Sequence, residues 1–199
     1  MALSLSAVCS GQSRSPDDAS TEDNVYTNFF FRFHYSFSAS WVPQPADVAE
    51  QLQKAGQSRL DDGKQTDAAK VEKHYYLLTL FRNLPGQGVN GRSRAIISLV
   101  ADDVSAHPEA TSGRECVLKL AEHLKKARYA PVGEPQEVQI GGLTFFRQDL
   151  KGTSSAGAPV YQSAVFTVSK GYALGFMLIS PSQSMLSIML GTLDKVQFY

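Results

Sequence analysis

The sequence predicts one domain that mixes β-strands with α-helices and whose strands are covered on both faces. Three segments, 75–81, 94–101 and 172–179, are apolar on both alternating sides. Strands of this kind need other elements packed on both faces. Two pairs of segments, 138–140 with 143–150 and 160–169 with 172–179, flank Gly141-Gly142 and Lys170-Gly171, which is the spacing of hairpins. With 199 residues, the chain is long enough to bury roughly 70% of its unfolded surface.

The first element after the N-terminal segment is an aromatic strand within residues 28–41, NFFFRFHYSFSASW. Counting in twos places one set of rings on the same side: Phe29, Phe31, Phe33, Tyr35 and Phe37. The opposite side is mostly polar: Phe30, Arg32, His34, Ser36 and Ser38. Because side chains alternate between the faces of a strand, this pattern predicts one face in the hydrophobic core and one face toward water.

Charge and composition exclude several classes of partner. The chain has 19 Lys and Arg against 19 Asp and Glu, and no basic run flanks the rings, so we expect no nucleic-acid binding. Neutral net charge also gives no attraction to an anionic membrane surface. No apolar run of 18 residues occurs, so we expect no transmembrane segment. No motif indicates a cofactor, and no feature sets an oligomeric state.

Residues 1–24 are expected to be a disordered leader or the remnant of a signal segment. Residues 10–24 are polar and lack apolar periodicity. Leu3 to Val8 resembles the end of a signal-peptide apolar region, but the run is short and lacks a basic start. If a signal segment precedes it, the protein is exported or belongs to the cell envelope; otherwise it is cytoplasmic. Cys9 would then be a candidate for lipidation, although Val8 stands where Gly or Ala is usual.

The remaining residues, 25–199, are predicted to form the domain. Pro45 can begin a helix that places Val48, Leu52 and Ala55 on one stripe. A charged insertion at 56–73 follows, interrupted by Gly63.

Besides the three apolar strands and the hairpins, the pattern predicts two helices and a closing strand. A helix at 111–128 carries one apolar stripe, and residues 129–135 then turn the chain. Pro181 and Ser182 open a final helix. Val196–Phe198 is predicted to be a short last strand.

The order of these elements and several motifs resemble the PsbP-like superfamily over residues 26–199. The motifs are an IGG…FFR.D hairpin, VYQ…TVSKGYAL, and a terminal helix that ends in TLDKVQF. That superfamily includes photosystem PsbP proteins, Ran-binding Mog proteins and bacterial envelope proteins of unknown role. The resemblance implies an α+β fold, with an antiparallel β-sheet sandwiched by helices in three layers, α/β/α. It also implies an accessory or binding role.

Two clusters could suggest ligand chemistry, and both have simpler interpretations. Gly86, Gly88 and Gly91 have the spacing of a dinucleotide-binding loop, but a strand rather than a helix is predicted to follow, which favours a hairpin loop. Asp102, Asp103 and His107 follow a strand end and offer oxygen and imidazole ligands. They are weak metal candidates, because three such residues are few for a site and a solvated turn explains them.

The ligand-binding candidates are His34, Arg147 and Asp149. His34 lies on the polar side of the aromatic strand. Arg147 and Asp149 are two residues apart on a strand and therefore lie on one face. They are expected to form an ion pair on the sheet surface; the alternative is that Arg147 anchors a ligand.

The sequence leaves two classes of function open. The first is a non-catalytic binding or accessory domain that presents a sheet face or groove to a protein partner or a small apolar ligand. The alternative is a hydrolase-like enzyme that uses His34 with Asp102 or Asp103. The sequence carries no nucleophile motif such as GxSxG, which favours the binding domain.

Overall fold

The chain forms two antiparallel sheets and two helices within the part that the computed structural model describes, residues 14–44, 73–83, 94–106, 110–126, 128–154 and 157–199. A four-stranded sheet contains β1 (Ala19–Glu22), β2 (Val25–Asn28), β3 (Phe33–Ser36) and β11 (Val196–Phe198), in the order β1-β2-β3-β11. A seven-stranded sheet contains β4 (Val42–Pro43), β5 (His74–Asn83), β6 (Arg94–Asp103), β7 (Ala130–Ile140), β8 (Leu143–Thr153), β9 (Pro159–Ser169) and β10 (Tyr172–Ser180). Its order is β4-β5-β6-β10-β9-β8-β7. The helices are α1 (Gly113–Lys125) and α2 (Gln183–Thr192).

Two hydrophobic cores lie on opposite faces of the seven-stranded sheet. The larger core joins that sheet to the four-stranded sheet and α2, and it includes Phe33, Phe176 and Met189. The smaller core joins the sheet to α1 through Val117 and Phe166. The molecule is therefore layered as α1, the large sheet, and an outer layer of α2 with the small sheet.

This architecture confirms the predicted α+β class and the three layers, with one difference. The cover on one side of the large sheet is a helix together with a second sheet, instead of helices alone. The described residues contain no helix that is long and apolar enough to cross a membrane.

The two predicted hairpins are confirmed, as β7–β8 and β9–β10. Each turn has two consecutive residues with positive φ: Gly141 at 56° with Gly142 at 85°, and Lys170 at 52° with Gly171 at 81°. Such turns match the right-handed twist of paired strands.

The aromatic stretch is buried as predicted, but it is not one strand. Phe31 is 3% exposed, Phe33 and Tyr35 0%, and Phe37 7%. The chain turns between β2 and β3, where Arg32 has φ +60° and the backbone N–H of Phe31 donates to the Asn28 side chain at 2.7 Å. Phe29, predicted to face the core, instead lies half-buried outside it beneath the Arg14 guanidinium.

Part of the predicted leader belongs to the fold. Residues 19–22 form β1 and pair with β2 in the register Ala19↔Asn28 to Glu22↔Val25. This strand is not predicted from the sequence because its residues, ASTE, are mostly polar and have no apolar alternation. The edge position of β1 explains how such residues are tolerated, since an edge strand needs little apolar surface.

The segment predicted to turn the chain, residues 129–135, is mostly strand. β7 begins at Ala130 and shifts register between Val132 and Gln136, where Gly133 has φ +71°. A bulge on an edge strand accommodates Pro135 and Gly133 without ending the strand.

Other predictions fall outside the described residues. These are the helix beginning at Pro45, the insertion 56–73 up to residue 72, the glycine loop at 86–91, and residues Cys9 and His107.

Candidate functional site

A groove runs beside α1 on one face of the seven-stranded sheet. α1 packs against β7, β8 and β9, and the adjoining strands β5, β6 and β10 line the groove. Its cavity has a volume of about 390 Å³. The face is the one opposite the larger core, because Ile96, Ser98 and Val100 alternate along β6 with the core residues Ile97 and Leu99.

The lining of the groove is mostly apolar. The apolar residues are Phe81, Ile96, Val100, Leu120, Phe166, Met177 and Ile179. Midway along it, the Thr79 hydroxyl donates to the Ser98 hydroxyl across the β5–β6 pair at 3.5 Å. This bond links the two hydroxyls in the middle of a lining that is otherwise mostly apolar.

One end of the groove carries polar groups. His74 and Asp102 are cross-strand neighbours in β5 and β6, and His74 Nδ1 bonds to Asp102 Oδ1. The His74 ring also meets the Tyr76 ring edge-on, with the ring centroids 4.4 Å apart. A polar group of a ligand would meet these side chains at this end.

A second cavity of about 310 Å³ continues from the polar end of the groove. It lies between α1, the end of β6 and the start of β10, and it is lined by Cys116, Lys119 and His123 among others. The two cavities share Asp102, Leu120 and Phe166. These three side chains therefore stand at the boundary between the cavities.

Cys116 is not an activated nucleophile. Burial raises the pKa of its thiol to about 11, and the charges of Asp102 and Glu115 act in the same direction. Catalytic cysteines beside a His–Asp pair have a lowered pKa instead. The thiol stays protonated at neutral pH and acts as a small apolar group in the cavity wall.

The weak metal candidates do not converge. Asp102 and Asp103 are consecutive in β6 and so point to opposite faces of the sheet, and Asp102 is bound to His74. The described residues contain no group of three His, Cys, Asp or Glu side chains able to hold a metal ion.

His34 lies far from the groove in the layered structure. It sits between the buried residues Phe33 and Tyr35 on β3, so its ring faces away from the large sheet. Its Nε2 is 2.9 Å from Gln197 Oε1 of β11, and it stacks on the Tyr199 ring. The alternative pairing of His34 with Asp102 or Asp103 is therefore wrong, because the four-stranded sheet and the larger core separate them.

Arg147 and Asp149 form a closed ion pair on β8. Arg147 Nε donates to Asp149 Oδ1 at 2.8 Å and Nη2 donates to Oδ2 at 2.5 Å, while the Ser163 hydroxyl also donates to Oδ1 at 2.8 Å. They share the face of buried Phe145, opposite the groove. The structure thus brings Arg147 and Asp149 together and leaves His34 apart from them.

Of the groove residues that the structure describes, Asp102 alone was a sequence candidate, although two signals pointed toward the others. The segments 75–81, 94–101 and 172–179 required cover on both faces, and the groove lies on one of these faces. Gly175 inside a strand pattern is typical of a close approach by another group. In the structure that group is the ring of Phe166, since a Cβ built on Gly175 would lie 2.3 Å from it.

Comparisons with known proteins find similarity at the level of the fold. No family model and no curated protein sequence matches the chain. The solution structure of cyanobacterial PsbP from Synechocystis sp. PCC 6803 matches with 8% identity and a TM-score of 0.51, over 88% of this chain and 91% of that one. LpqN of Mycobacterium tuberculosis, involved in cell envelope biogenesis, matches with 14% identity and a TM-score of 0.46, over 83% of this chain and 82% of that one.

A protein of unknown function from Pseudomonas aeruginosa matches with 17% identity and a TM-score of 0.39, over 63% of this chain and 79% of that one. The match with the cyanobacterial protein extends over most of both chains, which shows a shared fold. This chain has a PsbP-like fold.

Proposed function

We propose that this protein is a non-catalytic binding domain that holds a small apolar ligand in the groove between α1 and strands β5, β6 and β10. The observation that carries the proposal is the mostly apolar cavity of about 390 Å³ with polar groups at one end. Ligand pockets in proteins are commonly about 300–1,000 Å³, apolar, and provided with a few orienting polar groups.

The size of the cavity favours a small molecule over a helical segment of a partner. An α-helix with its side chains is about 10–12 Å across, so a helical segment would place only one of its faces in a cavity of about 390 Å³, whereas the cavity can enclose a small molecule. A linear or flat molecule fits the space without displacing α1.

The chemistry of the lining supports binding more than catalysis. The Cys116 thiol has a raised pKa, and His74 and Asp102 are bonded to each other. Their arrangement supplies a hydrogen-bonding end to an apolar site, which orients a ligand that has one polar group.

Binding of a neutral fluorescent probe, N-phenyl-1-naphthylamine, tests the proposal. We expect saturable binding to the full chain and, in NMR spectra, shifts of the methyl groups of Ile96, Met177 and Ile179. The variant Ser98→Leu fills the middle of the groove and should abolish binding. Ser187→Leu, at an exposed position on α2, is the matched control and should bind as the wild type does.

Two results would overturn the proposal. The first is probe binding that persists unchanged in a folded Ser98→Leu protein, which would place the probe elsewhere. The second is an absence of saturable binding together with nuclear Overhauser contacts from residues 45–72 to Ile96 or Ile179. In that case the chain itself would occupy the groove.

A further inference from the structure

We infer that Asp102 makes the groove selective for unbranched ligands that end in a primary ammonium group, such as long-chain alkylamines. The inference rests on the proposed function and names its ligand class. It also gives the ligand one orientation. The ammonium group lies beside Asp102, and the alkyl chain extends away from that end along the apolar part of the groove.

The argument begins with the charges of the groove lining. Of the described residues that line the groove, Asp102 is the one carboxylate, and none is a lysine or an arginine. The other ionisable side chains of this lining, His74 and Tyr76, lie at the same end. A neutral imidazole can bond to the Asp102 carboxylate through its Nδ1–H, so this bond does not by itself neutralise the carboxylate.

The Asp102 carboxylate also has acceptor capacity left for a ligand. Its Oδ1 is bonded to His74 Nδ1, and Oδ2 has no hydrogen bond within the described part of the chain. An ionised carboxylate offers about four acceptor positions. Because the Asp102 side chain is 42% exposed, an ammonium group beside Oδ2 keeps part of its hydration, which lowers the cost of placing a charge there.

The adjoining cavity of about 310 Å³ contains a lysine, but the charge of Asp102 outweighs it. Lys119 lines this cavity and does not line the groove. Burial is the main cause of the raised pKa of the Cys116 thiol; among the charges that act on the thiol, Asp102 has the largest effect, and Lys119, which lowers the pKa, has a smaller one. Since Cys116 lies on the same helix as Lys119, negative charge prevails even on the helix side of the boundary.

The rest of the groove suits an unbranched chain. On β6 the lining extends from Asp102 to Ile96, which is roughly 20 Å at the rise of a strand. A cavity of about 390 Å³ over this length is narrow. Its far end is formed by Phe81, Ile96 and Ile179, which are cross-strand neighbours and all apolar.

Three ligands with equal chains, decylamine, decan-1-ol and decanoate, test the inference by displacement of N-phenyl-1-naphthylamine. At about pH 8 the amine is protonated and the acid is ionised, as the side chains of free lysine and glutamate are. We expect decylamine to bind about fivefold more tightly than decan-1-ol, because a hydrogen bond between two ionised groups is stronger than a bond with a neutral hydroxyl. Decanoate should bind most weakly, because its charge repels that of Asp102.

Asp102→Asn removes the charge and keeps both the size of the side chain and an oxygen acceptor for His74. In this variant, the affinity for decylamine should fall about fivefold, to that for decan-1-ol, and decanoate should bind more tightly than it binds the wild type. Asp194→Asn is the matched control, since Asp194 is exposed in the turn between α2 and β11, on the other side of the large sheet. It should keep the wild-type order of affinities, and circular dichroism confirms that both variants fold.

The wild-type order alone can overturn the inference, without any variant, if decan-1-ol or decanoate binds as tightly as decylamine. An order that persists in a folded Asp102→Asn protein, or that is lost equally in Asp194→Asn, also overturns it. In each of these cases the proposed function stands as long as the neutral probe binds. If the wild type binds neither the probe nor any of the three ligands, the proposed function itself fails and this inference with it.

Discussion

Asn28 shows how one buried polar side chain organises the region around it. It is 0% exposed, its amide donates to the Pro16 carbonyl at 2.8 Å and to the Tyr26 hydroxyl at 3.0 Å, and its carbonyl accepts from the Phe31 N–H. The amide thus joins the segment before β1, the strand β2 and the turn after it. Polar groups buried this way are costly unless every bond is made, so this residue type is required here.

The turn glycines of the β7–β8 hairpin have different surroundings, although both have positive φ. A Cβ at Gly141 would lie 2.8 Å from the Phe198 ring and 2.9 Å from the Val196 carbonyl, whereas a Cβ at Gly142 would meet nothing within 4 Å. The turn at Gly141 therefore packs against β11 and connects the two sheets.

We predict that Gly142→Ala costs about 1 kcal/mol, from backbone strain alone. Gly141→Ala should cost about 1–3 kcal/mol more, because the added methyl group overpacks the contact with β11. Urea unfolding of the two variants measures the difference. Equal losses of stability would show that the turn does not press on β11 in solution.

At the scale of elements, the sequence predicted what depends on local pattern. The strands β5, β6 and β10 and both hairpins followed from apolar runs and turn glycines, and α2 followed from Pro181 and Ser182. Local pattern failed where an element depends on a hydrogen-bonding partner that apolar periodicity does not show. The break between β2 and β3 depends on the Asn28 amide, and β1 depends on an available edge of β2.

The candidate site was less predictable than the fold for the same reason. The groove consists of residues from β5, β6, β10, β9 and α1, and their proximity follows from the strand order β5-β6-β10-β9. His34 and the Arg147–Asp149 pair stood out as polar groups in strands, but alternation places them away from the groove. A sequence shows which residues share a strand face, but the order of strands decides which faces meet.

The start of α1 is stabilised by a reciprocal cap that gives a pH-dependent prediction. Glu115 Oε2 accepts from the Thr111 hydroxyl at 2.9 Å and from the backbone N–H groups of Thr111 and Ser112 at 2.7 and 2.9 Å. These bonds lower the pKa of Glu115 below its ordinary value, and the bond from the Thr111 hydroxyl has the largest effect. A lowered pKa means that the folded state favours the carboxylate.

We therefore predict that Glu115→Gln is less stable than the wild type at neutral pH and that the difference closes in acid. The stabilisation is fully present above the ordinary pKa of a glutamate and is lost as the pH falls through the lowered pKa of the folded state. Glu122→Gln, which affects only an exposed pair with Lys125 on the same helix, is the control and should change stability less at neutral pH. A Glu115→Gln deficit that stays constant from neutral pH into acid would contradict the role of the charge.

At the scale of the whole molecule, the two faces of the seven-stranded sheet have different roles. One face joins the larger core, where the aromatic side chains of β3 meet Phe176 and Phe145. The other face carries α1 and the groove. Packing of the larger core against the opposite face holds the strands in place. The groove is therefore built on a rigid surface, which favours a preformed binding site.

Residues 14–24 contribute β1 and several hydrogen bonds to the fold. Truncation tests how much they stabilise it. Removal of residues 1–24 would delete β1 and the Pro16 carbonyl that accepts a hydrogen bond from the Asn28 amide. It would also delete two backbone acceptors: the Asp18 carbonyl, bonded to the Phe29 N–H at 2.9 Å, and the Asn24 carbonyl, bonded to the Phe37 N–H at 2.9 Å. Leaving the buried Asn28 amide without its partner alone costs about 1–3 kcal/mol. Since about 1 kcal/mol shifts the midpoint by roughly 2–4 °C in a chain of this length, we expect thermal unfolding about 5–15 °C below the full-length value.

Removal of residues 1–13 keeps all of these contacts and is the matched control. If the longer truncation melted within a few degrees of the control, β1 would contribute nothing to stability, and residues 14–24 would behave as the leader that their composition predicted.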